Sequence, residues 1–228
     1  MFTLHSRTHR QFLFLFLLTL IAGVDRASAD ELAIWNFNDS DLVVDHGTGT
    51  LTSNIVPANV LFAAGTTNNA RLGDLAGQAL SLQGGTSNTN NGRNITLNVS
   101  TLGFSNIVVS FATQGTGTGF NANQFQYSLD GTNFFDFGSP YVPLTAFGAV
   151  PVVFTLTSIA GLNNNPNAAF RIVFNGATSS TGNNRIDNIV VDGTAISSPI
   201  PEPATAVLMV TGLSGLIALH RKRRKQVE

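Results

Sequence analysis

The chain has 228 residues, 43% hydrophobic and 11% charged, with a formal net charge of -1 and no cysteine. Lack of cysteine excludes disulfides, thiolate metal centres and a thiol nucleophile, so a packed core has to hold the fold. The near-neutral total hides an asymmetry: residues 30–198 carry ten acids, four arginines and no lysine, a charge of -6, which excludes the clustered basic surface that nucleic-acid binding needs.

His5, Arg7, His9 and Arg10 give the chain a basic start, followed by an apolar run at residues 12–24 and the small-residue sequence Ala27-Ser28-Ala29. Thirteen apolar residues rise only about 20 Å as a helix, too little for a hydrocarbon core of about 30 Å. Residues 1–29 are therefore expected to be a secretory signal peptide cut before Asp30, with Ala27 and Ala29 marking the cleavage site.

Residues 32–37 open the exported part as a strand, with Trp35 and Phe37 on one face and Leu32 and Ile34 on the other, so that both faces are covered. Residues 38–77 are weakly patterned and rich in turn formers, broken by short apolar runs at 42–44 and 59–63. Beyond them, strands are expected at 79–82, 94–99, 107–113, 124–129, 134–137, 152–156, 170–174 and 186–191. In Gln124-Phe125-Gln126-Tyr127-Ser128-Leu129 the strict alternation assigns Phe125, Tyr127 and Leu129 to the core and Gln124, Gln126 and Ser128 to water. Asp130-Gly131 then supplies a hairpin turn in which glycine takes the positive φ, leading into Phe134, Phe135 and Phe137. Phe170, Ile172 and Phe174 repeat the alternation, with Arg171 outward.

Short strands in succession, without helical periods, predict an all-β domain at residues 30–197: a two-sheet β-sandwich of jelly-roll-like topology. Residues 182–193 and the hairpin from Ser128 to Gly131 resemble pieces of jelly-roll domains in secreted bacterial proteins. That resemblance bears on fold more than on function.

His46 is the one histidine between the two terminal segments, and Asp45 stands beside it. No serine carries a nucleophile-elbow pattern, so the sequence speaks against a Ser-His-Asp enzyme. The aspartates lie in turns, where they commonly bond their own backbone rather than form a glycosidase pair. Asp39 and Asp41 leave the first strand while Asp187 and Asp192 flank the last; terminal strands lying together would gather these four oxygen ligands into a calcium site. No other cofactor is implied. For sugar binding, Phe120, Tyr141 and Phe147 fall in expected loops and are the candidate aromatic platforms. The glycine-rich runs at 84–92 and 114–119 are not phosphate loops, since no lysine and no helix follows.

The chain closes with Ser198-Pro199-Ile200-Pro201-Glu202-Pro203, an apolar run at about 204–220, and the basic residues Arg221, Lys222, Arg223, Arg224 and Lys225. Prolines fix an extended segment, and sixteen apolar residues from 204 to 219 span about 24 Å as a helix, a short transmembrane anchor. Five basic residues hold the end in the cytoplasm and leave the domain outside it. This order resembles the PEP-CTERM sorting signal of Gram-negative bacteria at residues 198–228, with Pro201, Glu202 and Pro203 as its motif. The resemblance implies recognition by an exosortase, a membrane-embedded protease, and an association with exopolysaccharide and biofilm. The expected path is export, transient residence in the inner membrane, and delivery to the cell envelope or extracellular matrix. The expected role is a structural or adhesive matrix component and not an enzyme. The alternatives are a carbohydrate-binding module, then a hydrolase of extracellular polymer.

Overall fold

In a computed structural model of the chain, residues 29–196 and Gly212 are described. The expected signal peptide up to residue 28, the Pro201-Glu202-Pro203 motif, the apolar run apart from Gly212, and the basic residues 221–225 lie outside the described residues. Among the described residues no helix is long and apolar enough to cross a membrane.

The strands in chain order are β1 (Ala29–Trp35), β2 (His46–Gly47), β3 (Thr50–Ser53), β4 (Val60–Ala64), β5 (Gln78–Gln83), β6 (Arg93–Asn98), β7 (Phe104–Gly115), β8 (Gln124–Ser128), β9 (Phe134–Asp136), β10 (Val152–Thr155), β11 (Ala169–Phe174) and β12 (Asn183–Ala195). They form two antiparallel sheets, a β-sandwich as the alternation predicts. One sheet runs β3-β6-β11-β8-β9; the other runs β10-β7-β12-β1-β2, with β5 also paired to β12 and β4 to β5. β12 is the spine of the larger sheet, pairing with β7 along its length, with β5 at its start and with β1 at its end.

The core lies between the sheets because each strand turns alternate apolar side chains inward. Phe170, Ile172 and Phe174 of β11 and Ile95 and Leu97 of β6 are fully buried there. The sheets meet at a ring stack: Phe125 of β8 lies on Phe154 of β10 with centroids 3.9 Å apart and planes at 7°. β1 is covered on both faces: Trp35 packs in the core and Ile34 is buried outside that cluster, but Leu32, expected beside Ile34, joins Trp35 in the core because the register of β1 slips between Glu31 and Ala33.

Some local expectations change. The apolar run at 42–44 lies outside any strand, and the short strands β2 and β3 follow it. Their sequences, His46-Gly47 and Thr50-Leu51-Thr52-Ser53, are too short or too polar to announce themselves. Ser128, expected in water, is fully buried, its hydroxyl donating to Asp130 Oδ1 at 2.9 Å. Leu129 lies past the end of β8, 38% exposed, with its side chain over Gly161 rather than in the core. The reason is Asp130, whose carboxylate accepts from the backbone N–H of Thr132 at 2.9 Å and of Asn133 at 2.7 Å and so starts the turn one residue early. Gly131 sits at φ +76° inside that turn, as predicted.

The outer faces of the two sheets differ. Residues following β4 cross the larger sheet as a strap: the Asn69 Nδ2 donates to Ser110 Oγ of β7 at 3.1 Å and to the Asn188 carbonyl of β12 at 2.7 Å. Asn188 Nδ2 in turn donates to the carbonyls of Thr66 at 2.8 Å and Asn68 at 2.9 Å. A bulge in β12 makes this possible, since the register slips between Asp187 and Val190 and Asn188 takes φ +50°.

Candidate functional site

The outer face of the five-stranded sheet carries mostly polar side chains, in rows set by the cross-strand pairing. Cross-strand pairing aligns Thr52, Thr96, Arg171, Gln126 and Asp136 in one row. The adjacent row is Thr50, Asn98, Ala169, Ser128 and Phe134, in which Ala169 and Ser128 are fully buried. With strands about 4.8 Å apart, each row is about 19 Å long.

Arg171 sits at the centre. Its Nε donates to Gln126 Oε1 at 2.7 Å, and its guanidinium carbon lies 3.8 Å from the centroid of the Phe134 ring. Gln126 continues the chain of contacts, donating from Nε2 to Asp136 Oδ1 at 2.7 Å. Partial burial lowers the pKa of Arg171, and the Asp136 carboxylate opposes that shift. The ring, the amide and the guanidinium thus hold one another in a fixed arrangement on an otherwise hydroxyl- and amide-lined surface.

At the end of this face, beyond Thr50, Asn98 and Ser128, a cleft of about 360 Å³ opens between Gly49, Ser100, Asp130, Pro166 and Asn167. Hydrogen bonds from the Asn133 backbone and side chain, the Thr132 backbone and the Ser128 hydroxyl hold the Asp130 carboxyl far below the usual carboxylate range. Face and cleft together offer donors and acceptors at fixed spacing beside one aromatic ring. That combination suits a ligand rich in hydroxyl groups.

The expected calcium site does not assemble. β1 and β12 do lie side by side, but antiparallel, so Asp192 stands opposite Glu31 at the start of β1 whereas Asp39 and Asp41 follow its end. Asp192 pairs with Arg71 at 3.7 Å, and Glu31 with the same guanidinium at 3.4 Å. Asp41 accepts from the Val43 backbone at 2.7 Å. Asp187 is buried beneath the strap, accepting from the backbone N–H of Thr66 at 2.7 Å and of Asn188 at 2.9 Å. Among the described residues no group of three or more histidine, cysteine, aspartate or glutamate side chains is placed to hold a metal ion. Asp39, Asp41 and Asp74 each lie near enough to Asp45 to act on it, and burial, followed by these carboxylates, raises the pKa of Asp45.

The expected aromatic platforms change too. Phe120 is buried against Phe174, centroids 5.4 Å apart. Tyr141 packs on Phe111 and Phe154, at 5.9 and 6.1 Å, with its hydroxyl buried. Phe147 lies half-buried in the connection before β10. His46 is exposed on the edge strand β2 and bonds no serine among the described residues. The ring that does sit on the open face, Phe134, was legible as a strand residue only. Its side of the sheet depends on the five-residue turn from 129 to 133, and a turn one residue shorter would have put Phe135 there instead.

No protein-family model matches the sequence, and no curated protein matches it. Solved structures similar in fold include a carbohydrate-binding module, TmCBM61, in complex with β-1,4-galactotriose, at 12% identity over 68% of this chain and 92% of that one, TM-score 0.41. Domain 4 of an extracellular arabinanase from Geobacillus stearothermophilus, in complex with arabinotriose, is similar at 16% identity over 74% and 95% of the two chains, TM-score 0.45. The CBM22-1 xylan-binding domain from Paenibacillus barcinonensis gives 12% identity, 75% and 98% coverage, and TM-score 0.44.

Proposed function

We propose that the sandwich is a carbohydrate-binding module of an exported protein. The observation that supports this reading is the contrast between its two outer faces. A strap covers one, whereas the other is open and presents Phe134 beside a polar row, Thr52, Thr96, Arg171, Gln126 and Asp136, that crosses all five strands. Polysaccharide is recognised by such surfaces through ring stacking and many modest hydrogen bonds, without a catalytic group. The full chain, purified in detergent micelles and applied to an array of bacterial and plant glycans, should retain a subset of them, and Phe134→Ala should weaken that binding at least tenfold. An array with no retained glycan would overturn the assignment.

The C-terminal sequence supports a second element, sorting by an exosortase-type protease to the envelope or extracellular matrix, where a glycan-binding domain would attach to exopolysaccharide. Glu202→Ala keeps both prolines and the apolar run, so a simple tail anchor would be unaffected by it. Under the sorting reading the variant accumulates uncut in the inner membrane, read by blotting fractionated cells. Equal size and equal residence of variant and wild type would reject sorting while leaving glycan binding untouched.

A further inference from the structure

The open face carries a single guanidinium, and its hydrogen bonding is incomplete in an informative way. The Nε of Arg171 is taken by Gln126 Oε1 at 2.7 Å, and one face of the guanidinium is laid on Phe134. Gln126 gives its amide nitrogen to Asp136, so this carboxylate, although near enough to attract the guanidinium, forms no ion pair with it. Neither Nη atom has a hydrogen-bond or ion-pair partner among the described residues. Among the described residues the other three arginines each use an Nη atom: Arg71 on Asp192, Arg93 on the carbonyl of Asn54, and Arg185 on the carbonyl of Ala64, although the Arg185 Nε is buried without a partner.

A guanidinium fixed by its Nε and by an aromatic ring, with both Nη groups free, presents a planar pair of donors at low entropic cost. The acceptor that matches this geometry is a carboxylate, through two parallel N–H···O bonds. We infer that the glycan recognised by this face is acidic, a polysaccharide whose sugars bear carboxylates, with one carboxylate seated on Arg171 and its pyranose ring over the neighbouring threonine and amide row. The inference rests on the carbohydrate-binding reading and names the class of sugar. The charge of -6 over residues 30–198 means that such a polymer is not drawn in from a distance; selection occurs at contact, one carboxylate to one arginine.

Titration calorimetry on the full chain in detergent micelles tests this with oligogalacturonides and alginate oligosaccharides, each beside its carboxyl-reduced counterpart. The wild-type chain should bind the acidic form about tenfold or more tightly than the reduced form. Arg171→Gln should cost the acidic form about tenfold more affinity than it costs the reduced form, and Arg171→Lys should recover part of the preference. Circular dichroism confirms that the variants are folded. Equal affinity for acidic and reduced forms overturns the inference and leaves glycan binding standing. Binding of neither form, with an array that retains nothing, overturns both.

Discussion

Single residues in this domain divide by which side of the five-stranded sheet they occupy, and two phenylalanines make the contrast measurable. Phe125 points inward, is fully buried and stacks on Phe154 from the opposite sheet. Removing its ring leaves a cavity that neither sheet can close, so Phe125→Ala should cost about 3–5 kcal/mol in a denaturant titration. Phe134, on the outer side, is half-buried against Arg171, so Phe134→Ala should cost less than about 1 kcal/mol while removing most glycan affinity. A variant pair in which both lose equal stability would contradict the facing assigned to β9. The sequence could resolve one of these residues and not the other. Phe125 stands in a run with strict alternation, whereas Phe134-Phe135 is a doublet whose parity is set by how Asp130 closes the preceding turn.

At the scale of elements, the strap over the larger sheet has a titratable anchor. Burial pushes the Asp187 carboxyl up to about 7, against the two backbone N–H groups of Thr66 and Asn188 that pull it down. Between the unfolded value of about 4 and this folded value, the folded chain keeps a proton that the unfolded chain has released. Stability from this group is therefore full below about pH 4, falls as pH rises toward 7, and levels off above it; the loss amounts to at most about 4 kcal/mol. Melting curves of wild type and Asp187→Asn should show this as a difference. The advantage of wild type over the variant is greatest near pH 4–5 and narrows through pH 7. A difference independent of pH would mean that Asp187 titrates normally. The sequence placed Asp187 beside the last strand but gave it to a metal, because nothing in residues 65–77 announces that their amides and backbone will fold back over β12.

For the molecule as a whole, the sandwich was legible from β5 onward because both physical signals agreed there: period-two alternation, and glycine or asparagine at the turns. Phe170, Ile172 and Phe174, and Ile95 and Leu97, fall where alternation puts them. Residues 38–77 were not legible because their structure is tertiary in origin. The strap is fixed by hydrogen bonds to residues more than a hundred positions away, such as Thr66 to Asp187. The binding surface lay between these cases. Alternation put Gln126 and Arg171 in water, but their contact with each other is a cross-strand fact that requires β8 and β11 to be neighbours. Loop aromatics drew attention instead, and two of the three turned out to be filling the core.

The order of strands in the larger sheet has a consequence for how the domain is made. β1 is the first strand to leave any machine that delivers the chain N-terminus first, yet its long partner is β12, the last, and about 150 residues separate Trp35 from Asn183. Until β12 arrives, β1, β5 and β7 each lack the strand that joins them, and their apolar faces and open edges stay exposed. Closure of the sandwich therefore coincides with near-completion of the polypeptide. A chain cut just before residue 183 keeps most of its core residues but has no spine to pair them on, and stays open to proteolysis as an unfinished fold.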